Sequence, residues 1–250
     1  MEQPTLNATI SDRIDLGPEL MIIRVVPDGW PVPDFKAGQF AVLGLPGATP
    51  RYWLAAPDPR HPDPHKYILR AYSIASTPQN RTFMEFYITL VRTGALTPRL
   101  WLPRMGDMIY LSPKIAGKFT MESVPEEKNV IFIATGTGIA PFISMLQTYL
   151  SPAMTRRFVL FHGVRQSQDL AYRSELLTME RLCPNFRYFP IISREQDDPV
   201  PWYGPIGRVQ QLWQSGVVEN AWGVRPAPAN AHVFLCGHPE MIREMSALLQ

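Results

Sequence analysis

The apolar pattern of this chain changes character once, after Glu126-Glu127-Lys128, and that change limits what it can fold into. Before it, short β-like runs at 20–26, 39–45, 67–73, 84–91 and 108–111 are punctuated by Gly and Pro. Runs of this kind with turn residues between them predict an antiparallel barrel or sandwich. After it, apolar strands alternate with helical patterns. The strands fall at 130–134, 158–162, 186–192 and 233–236, and the helices at 139–150, 172–182, 209–215 and beyond Pro239. That alternation predicts right-handed βαβ units and a parallel sheet. Two domains are expected, 1–124 and 125–250. The stretch 46–66, dense in Pro, Arg and His, reads as a long loop between two strands of the first.

Bulk properties exclude several function classes. With 250 residues, 46% hydrophobic and 18% charged, the chain can bury a sizeable core and has a globular composition. A net charge of +2 gives no argument for nucleic acid or an anionic membrane as partner. No segment approaches the ~20 apolar residues of a membrane span. Met1-Glu2-Gln3-Pro4 lacks the basic–apolar pattern of a leader, so a cytoplasmic chain is expected. Two cysteines, Cys183 and Cys236, are too few for a disulfide framework or a four-thiolate cluster, and no metal site is expected.

The apolar run 130–134 leads straight into Thr135-Gly136-Thr137-Gly138-Ile139-Ala140-Pro141. A strand breaking into a glycine turn and then a helix lets backbone approach a ligand and offers helix N–H groups to an anion. Its spacing differs from G-x-G-x-x-G, so an ordinary turn stays open as a reading. Ligands of parallel sheets bind beyond the carboxyl ends of the strands. That rim would gather this turn, 162–165, Ser193-Arg194 and Cys236-Gly237. In the first half, Arg70-Ala71-Tyr72-Ser73 puts Arg70 and Tyr72 on one strand face, suited to clamping a phosphate and stacking on a heterocycle; a surface Arg beside a core Tyr is the plain alternative. In Gly94-Ala95-Leu96-Thr97-Pro98, Thr97 is expected to cap a helix with Pro98 at its first position.

Arg70–Ser73, Gly94–Pro98 with Leu100, Gly106-Asp107, Gly117-Lys118-Phe119, Gly136–Pro141 and Cys236-Gly237-His238-Pro239-Glu240-Met241 follow one another as in ferredoxin–NADP⁺ reductases. From about residue 8 to 250 the chain resembles that family, and most of all its bacterial ferredoxin/flavodoxin reductases. The resemblance implies an FAD-binding β-barrel over 1–124 and an NADP(H)-binding α/β domain over 125–250. It implies an enzyme that exchanges electrons between NADP(H) and ferredoxin or flavodoxin, hydride passing between nicotinamide C4 and flavin N5.

By resemblance, Arg70 would meet the FAD pyrophosphate, with Ala71 beside it; Tyr72 would stack on the isoalloxazine and Ser73 bond near N5. Tyr87, Ile88, Thr89 and Leu90 would line the flavin and adenine side, and Ala95, Leu96 and Thr97 would give N–H groups to the phosphates. Gly136, Thr137 and Gly138 would floor the nicotinamide dinucleotide site, with Thr137 at its boundary with the flavin. Val164, Arg165, Ser193, Arg194 and Arg208 would take the second nucleotide. Two arginines and a hydroxyl on one rim favour a 2′-phosphate over a ribose diol, hence NADP(H). Cys236, followed by Gly237, would sit beside the nicotinamide without acting as nucleophile, so the catalytic pair is Ser73 and Cys236; Cys183 reads as structural. Arg92, Arg99, Arg104 and Lys118 would steer an acidic ferredoxin. A monomer is expected.

Two departures from the family pattern stand out. The sequence ends at Gln250, within the helix begun after Pro239, before the last strand and tail that family members carry. Without that tail, the nicotinamide would reach the flavin with no ring to displace. The 46–66 stretch is an insertion just before the flavin strand. Rival readings are an electron-transfer subunit of a larger redox complex and a non-enzymatic nucleotide-binding module.

Overall fold

Among the described residues, six strands pair antiparallel and four pair parallel, and no ladder joins the two sets. The computed structural model describes residues 5–58, 60 and 62–250. It divides into two compact units, Met1–Thr120 with Ile143–Thr148, and Met121–Phe142 with Tyr149–Gln250.

In the first unit, β1 (Ala8–Gly17) turns at Pro18-Glu19 into β2 (Leu20–Pro27). β3 (Phe40–Pro46), β4 (Tyr67–Ser73), β5 (Met84–Thr89) and β6 (Met108–Leu111) complete a sheet of order β4-β3-β6-β1-β2-β5. Its alternate residues, among them Ile10, Met21, Ile23, Leu43, Phe86, Ile88 and Leu111, form one core cluster. β1 escapes a reading by apolar runs because Asp12, Arg13 and Asp15 interrupt it and a bulge between Ile10 and Asp12 shifts its alternation. Beyond β4, the Ala75 N–H donates to Glu85 O of β5 at 2.8 Å. The loop expected at 46–66 begins on the last residue of β3, and the described residues of 47–66 form no helix or strand.

Helix α1 (Thr97–Leu100) begins one residue earlier than the capping pattern predicts, and the cap position is Leu96. Thr97 makes no capping bond. Its Oγ1 instead accepts from the Val91 N–H at 3.0 Å and donates to Val91 O at 3.1 Å. The turn closed by Gly94 N–H to Val91 O brings Val91 within its reach.

The second unit runs β7 (Asn129–Thr135), a 3-10 turn over Gly136–Ile139, the ends of α2 (Ala140–Tyr149, of which Ile143–Thr148 are grouped with the first unit), β8 (Phe158–Val164), α3 (Arg173–Leu182) and β9 (Phe186–Ile192). It continues through α4 (Val209–Gln214), α5 (Val217–Trp222), β10 (Ala231–Cys236) and α6 (Pro239–Leu248). The parallel order is β10-β7-β8-β9. Ile131, Ile133, Val159, Phe161 and Ile191 pack with Val209, Leu212, Val218, Trp222, Met241 and Met245 from α4, α5 and α6. On the opposite face, Phe132 stacks on Phe142 at 4.7 Å and lies beside Phe158 and Phe234. Covered on both faces, the strands read as unbroken apolar runs. The six-residue α5 is too short for a periodic signal, and the left-handed glycines on either side, Gly216 and Gly223, read as loop.

Phe132 is the hub of that second face. Phe132→Ala removes a fully buried ring that three other rings pack against, and should destabilise the second unit by about 3–5 kcal/mol. Urea unfolding followed by far-UV circular dichroism measures this; a loss below about 1 kcal/mol would show that the cluster repacks.

Candidate functional site

β7, β8 and β9 succeed one another in one direction across the sheet, and β10 returns to the other side of β7. Loops leaving β7 and β10 therefore part, and a crevice opens at their carboxyl ends. Thr135–Gly138 and Cys236-Gly237 form it. A Cβ on Gly138 would overlap Cys236 O and lie 2.6 Å from Gly237 Cα, and one on Gly237 would lie 2.8 Å from Thr135 N. Gly237 also has φ 144°, open to glycine and closed to L side chains. Only glycines let the two turns meet. The Thr135 hydroxyl ties them, accepting from the His238 N–H at 2.8 Å, while His238 Nδ1 accepts from Glu240 N and caps α6.

His162, fully buried in β8, supports the same turn. Its Nε2 lies 3.1 Å from Gly136 O and its Nδ1 3.4 Å from the Tyr188 hydroxyl. An Nε2–H donated to the carbonyl leaves Nδ1 to accept from Tyr188. Burial pushes the imidazole pKa down to about 4, against the opposing bond to Gly136, so the ring is neutral at pH 7. The Tyr188 phenol is raised by its own burial.

Cys236 ends β10 half-buried, and burial pushes its thiol up to about 11, which keeps it protonated near neutrality. Cys183 is buried and its thiol is likewise raised.

The rim continues over β8 and β9. Ser193 N–H donates to Val164 O at 3.0 Å and Arg194 N–H to Arg165 O at 2.9 Å, so these two pairs run side by side beyond the strands. Gly207 N–H donates to Ile192 O at 2.8 Å, which brings Arg208, at the start of α4, to the end of β9. Val164 is buried with Leu170, Ile192 and Trp202. Arg165, Ser193, Arg194 and Arg208 are exposed, and none of the three arginines is in an ion pair among the described residues. The Arg165 charge is felt by Asp169, whose carboxyl is nevertheless raised, chiefly by burial.

In the first unit β4 is an end strand of its ladder, pairing only with β3. Arg70 and Ala71 are exposed, Tyr72 and Ser73 half-buried. Tyr72 packs on the core, and burial raises its phenol despite the Arg70 charge nearby. Arg70 Nη1 donates to Leu69 O at 2.7 Å. Tyr87 is buried, Ile88, Leu90 and Leu96 belong to the core cluster, and Thr89, Ala95 and Thr97 are half-buried. At Ile88, Leu90 and Leu96 the side chains are committed to packing, which leaves backbone as what those positions can offer a ligand.

The four cations expected to steer a partner are not one surface. Arg99 is buried, its side chain 3% exposed, and pairs with Asp58 at 2.7 Å. Arg92 pairs with Glu19 at 2.7 Å and Arg104 lies 3.7 Å from Asp15. Lys118 is exposed and without an ion pair among the described residues. Arg99 is a residue whose loop partner lies 41 positions away, which no local pattern reveals. Asp58 also escapes sequence reading, and Thr135 and His162, which the sequence places on the rim, show their bracing roles only in the structure. For His162 a signal exists: a lone imidazole inside the apolar run of β8. Among the described residues no group of His, Cys, Asp and Glu could hold a metal ion, and no helix is long and apolar enough to cross a membrane.

A family model for the oxidoreductase NAD-binding domain matches residues 132–247. The chain is 31% identical over 220 residues to the flavodoxin/ferredoxin–NADP reductase of Buchnera aphidicola subsp. Baizongia pistaciae, covering 88% of this chain and 80% of that one. It is 33% identical over 216 residues to the enzyme of that name from Escherichia coli K12, covering 86% and 78%. A ferredoxin NADP⁺ reductase from Neisseria gonorrhoeae, solved with FAD and NADP, superposes with TM-score 0.79 at 24% identity, over 100% of this chain and 91% of that one. A two-unit fold with an antiparallel sheet before a parallel one, and a glycine crevice at the switch point of the latter, is that of a nucleotide-dependent flavoprotein oxidoreductase. The chain belongs to the ferredoxin/flavodoxin–NADP⁺ reductase family.

The buried imidazole carries a pH signature. With its folded pKa at about 4 against about 6.5 unfolded, the unfolded chain binds the extra proton between those values, so stability falls as pH drops through that window. The loss is on the order of 3 kcal/mol. His162→Gln should flatten this slope in urea midpoints measured from pH 7 down to 4; an unchanged slope would place the acid sensitivity elsewhere.

Proposed function

We propose that this chain is a ferredoxin/flavodoxin–NADP⁺ oxidoreductase that holds FAD in the first unit and NADP(H) in the second. The observation that carries this reading is the rim of the parallel sheet, where a crevice only glycines can form stands beside three exposed arginines that form no ion pair among the described residues. Bound FAD supplies the chemistry, exchanging hydride with NADP(H) and single electrons with ferredoxin or flavodoxin.

The residues present fit both groups. In the first unit the backbone N–H groups of Ala95, Leu96 and Thr97 make no hydrogen bond among the described residues, and the buried Nε atoms of Arg51 and Arg99 have no partner. These are donors awaiting an anion. We assign Arg70 and the 95–97 amides to the FAD phosphates, Tyr72 and Tyr87 to its rings with the backbone of 88–90, and the Ser73 hydroxyl to a hydrogen bond near N5. The hydrogen bond from Ala75 to Glu85 supports closing the antiparallel sheet into a barrel between β4 and β5.

In the second unit we assign Gly136–Gly138 and Gly237 to close backbone approach, with Val164 and Ser193 flanking and Arg165, Arg194 and Arg208 meeting the 2′-phosphate. Cys236, protonated at neutral pH, packs against the nicotinamide and does not attack it. Lys118 is the cation left to meet an acidic carrier. We take the working form to be a cytoplasmic monomer, with domains meeting near 124–125.

Steady-state kinetics test the assignment. NADPH should be preferred over NADH. Arg194→Ala and Arg208→Ala should each raise the NADPH KM roughly 10–100-fold, as expected for a charge-assisted bond, and leave NADH kinetics unchanged. Equal use of NADH and NADPH by the unmodified chain would refute the arginine assignment.

A further inference from the structure

The 46–66 loop is laced to the segment that precedes and opens α1. Tyr52 N–H donates to Pro98 O at 2.9 Å and Ala56 N–H to Arg92 O at 3.0 Å. Arg51, on the loop, donates from Nη1 to Gly94 O at 3.0 Å and from Nη2 to Arg92 O at 3.1 Å. Arg99, on α1, donates from Nη1 to Ala95 O at 2.8 Å and from Nη2 back to Gly47 O at 3.2 Å. Asp58 joins the two guanidiniums, with Oδ1 at 2.5 Å from Arg51 and Oδ2 at 2.7 Å from Arg99. The side chains are 13%, 12% and 3% exposed for Arg51, Asp58 and Arg99.

This clasp acts on one side of the backbone. A trans peptide points its carbonyl and the following N–H in opposite directions, and the described chain has no cis peptide. Gly94 O is held by Arg51, Ala95 O by Arg99, and Leu96 O by the Arg99 N–H. The N–H groups of Ala95, Leu96 and Thr97 therefore face away from the clasp, and these three make no hydrogen bond among the described residues. Two guanidiniums against one carboxylate also leave a net positive charge beside them. Without Asp58, two nearly buried cations would repel each other and release the carbonyls they hold.

We propose that Asp58 is a positioning residue for the cofactor: from the inserted loop it locks the peptide planes of 94–96 so that three amides present themselves together to the FAD phosphates. This rests on the reading of the first unit as the FAD-binding unit. The loop is thereby part of the cofactor site, although Asp58 itself need touch no ligand.

The test is titration of apoprotein with FAD and, separately, with riboflavin, which carries the ring system without phosphate, followed by quenching of flavin fluorescence. Asp58→Asn should raise the FAD Kd about tenfold or more and leave the riboflavin Kd within about twofold. Equal FAD affinity for the variant and the unmodified chain, or parallel losses for both ligands, would overturn the proposal. An unmodified chain that binds no FAD would instead overturn the functional reading beneath it. Should Asp58→Asn fail to fold, Arg51→Gln keeps the Asp58–Arg99 pair while freeing Gly94 O. It should raise the FAD Kd several-fold with riboflavin unaffected, and an unchanged FAD Kd would be equally fatal.

Discussion

The parallel pairing of β10 with β7 is the constraint on which the second unit depends. Six consecutive residue pairs, from Ala231 with Asn129 to Cys236 with Ala134, hold the last strand against the first. The chain thereby leaves the sheet in two directions from one point. The crevice at that point is floored by the close approach of Gly138 to Cys236 and Gly237 and locked by the Thr135 hydroxyl. It is braced from β8 by a neutral histidine. Cofactor binding at such a point needs no side-chain chemistry in the turn. It needs backbone that can come close, and on the proposed reading the charge comes from the arginines along the rim.

The first unit solves the opposite problem. On the proposed reading an anion is met there by amides, and amides are useful only where something else takes their carbonyls. Arg51 and Arg99 do so, and one carboxylate keeps the two cations together. Leu96 belongs to the core cluster, where its side chain anchors the turn.

Much of this was legible in the sequence for physical reasons. The runs at 67–73, 108–111 and 186–192 coincide with β4, β6 and β9, because β-branched and aromatic residues between turn residues leave little other choice. The strand–turn–helix at 130–141 was legible through apolar burial and glycine together. What was not legible depends on partners distant in sequence. The charged, bulged β1 is held by its ladder, and Thr97 turns back to Val91 in place of capping. Arg99 reads as a surface cation until Asp58 is seen folded onto it. The position of β10 beside β7, which creates the crevice, is a topological fact that no local pattern encodes.

In this family one chain joins a pyridine nucleotide to a flavin and then to a one-electron carrier. Anaerobic titration of the FAD-loaded protein with NADPH, followed by its visible flavin absorption, tests this most directly. Bleaching should be complete at one NADPH per flavin, and the band should recover when oxidised ferredoxin or flavodoxin is added. A protein that takes up no FAD, or a flavin band that NADPH leaves unchanged, would contradict it.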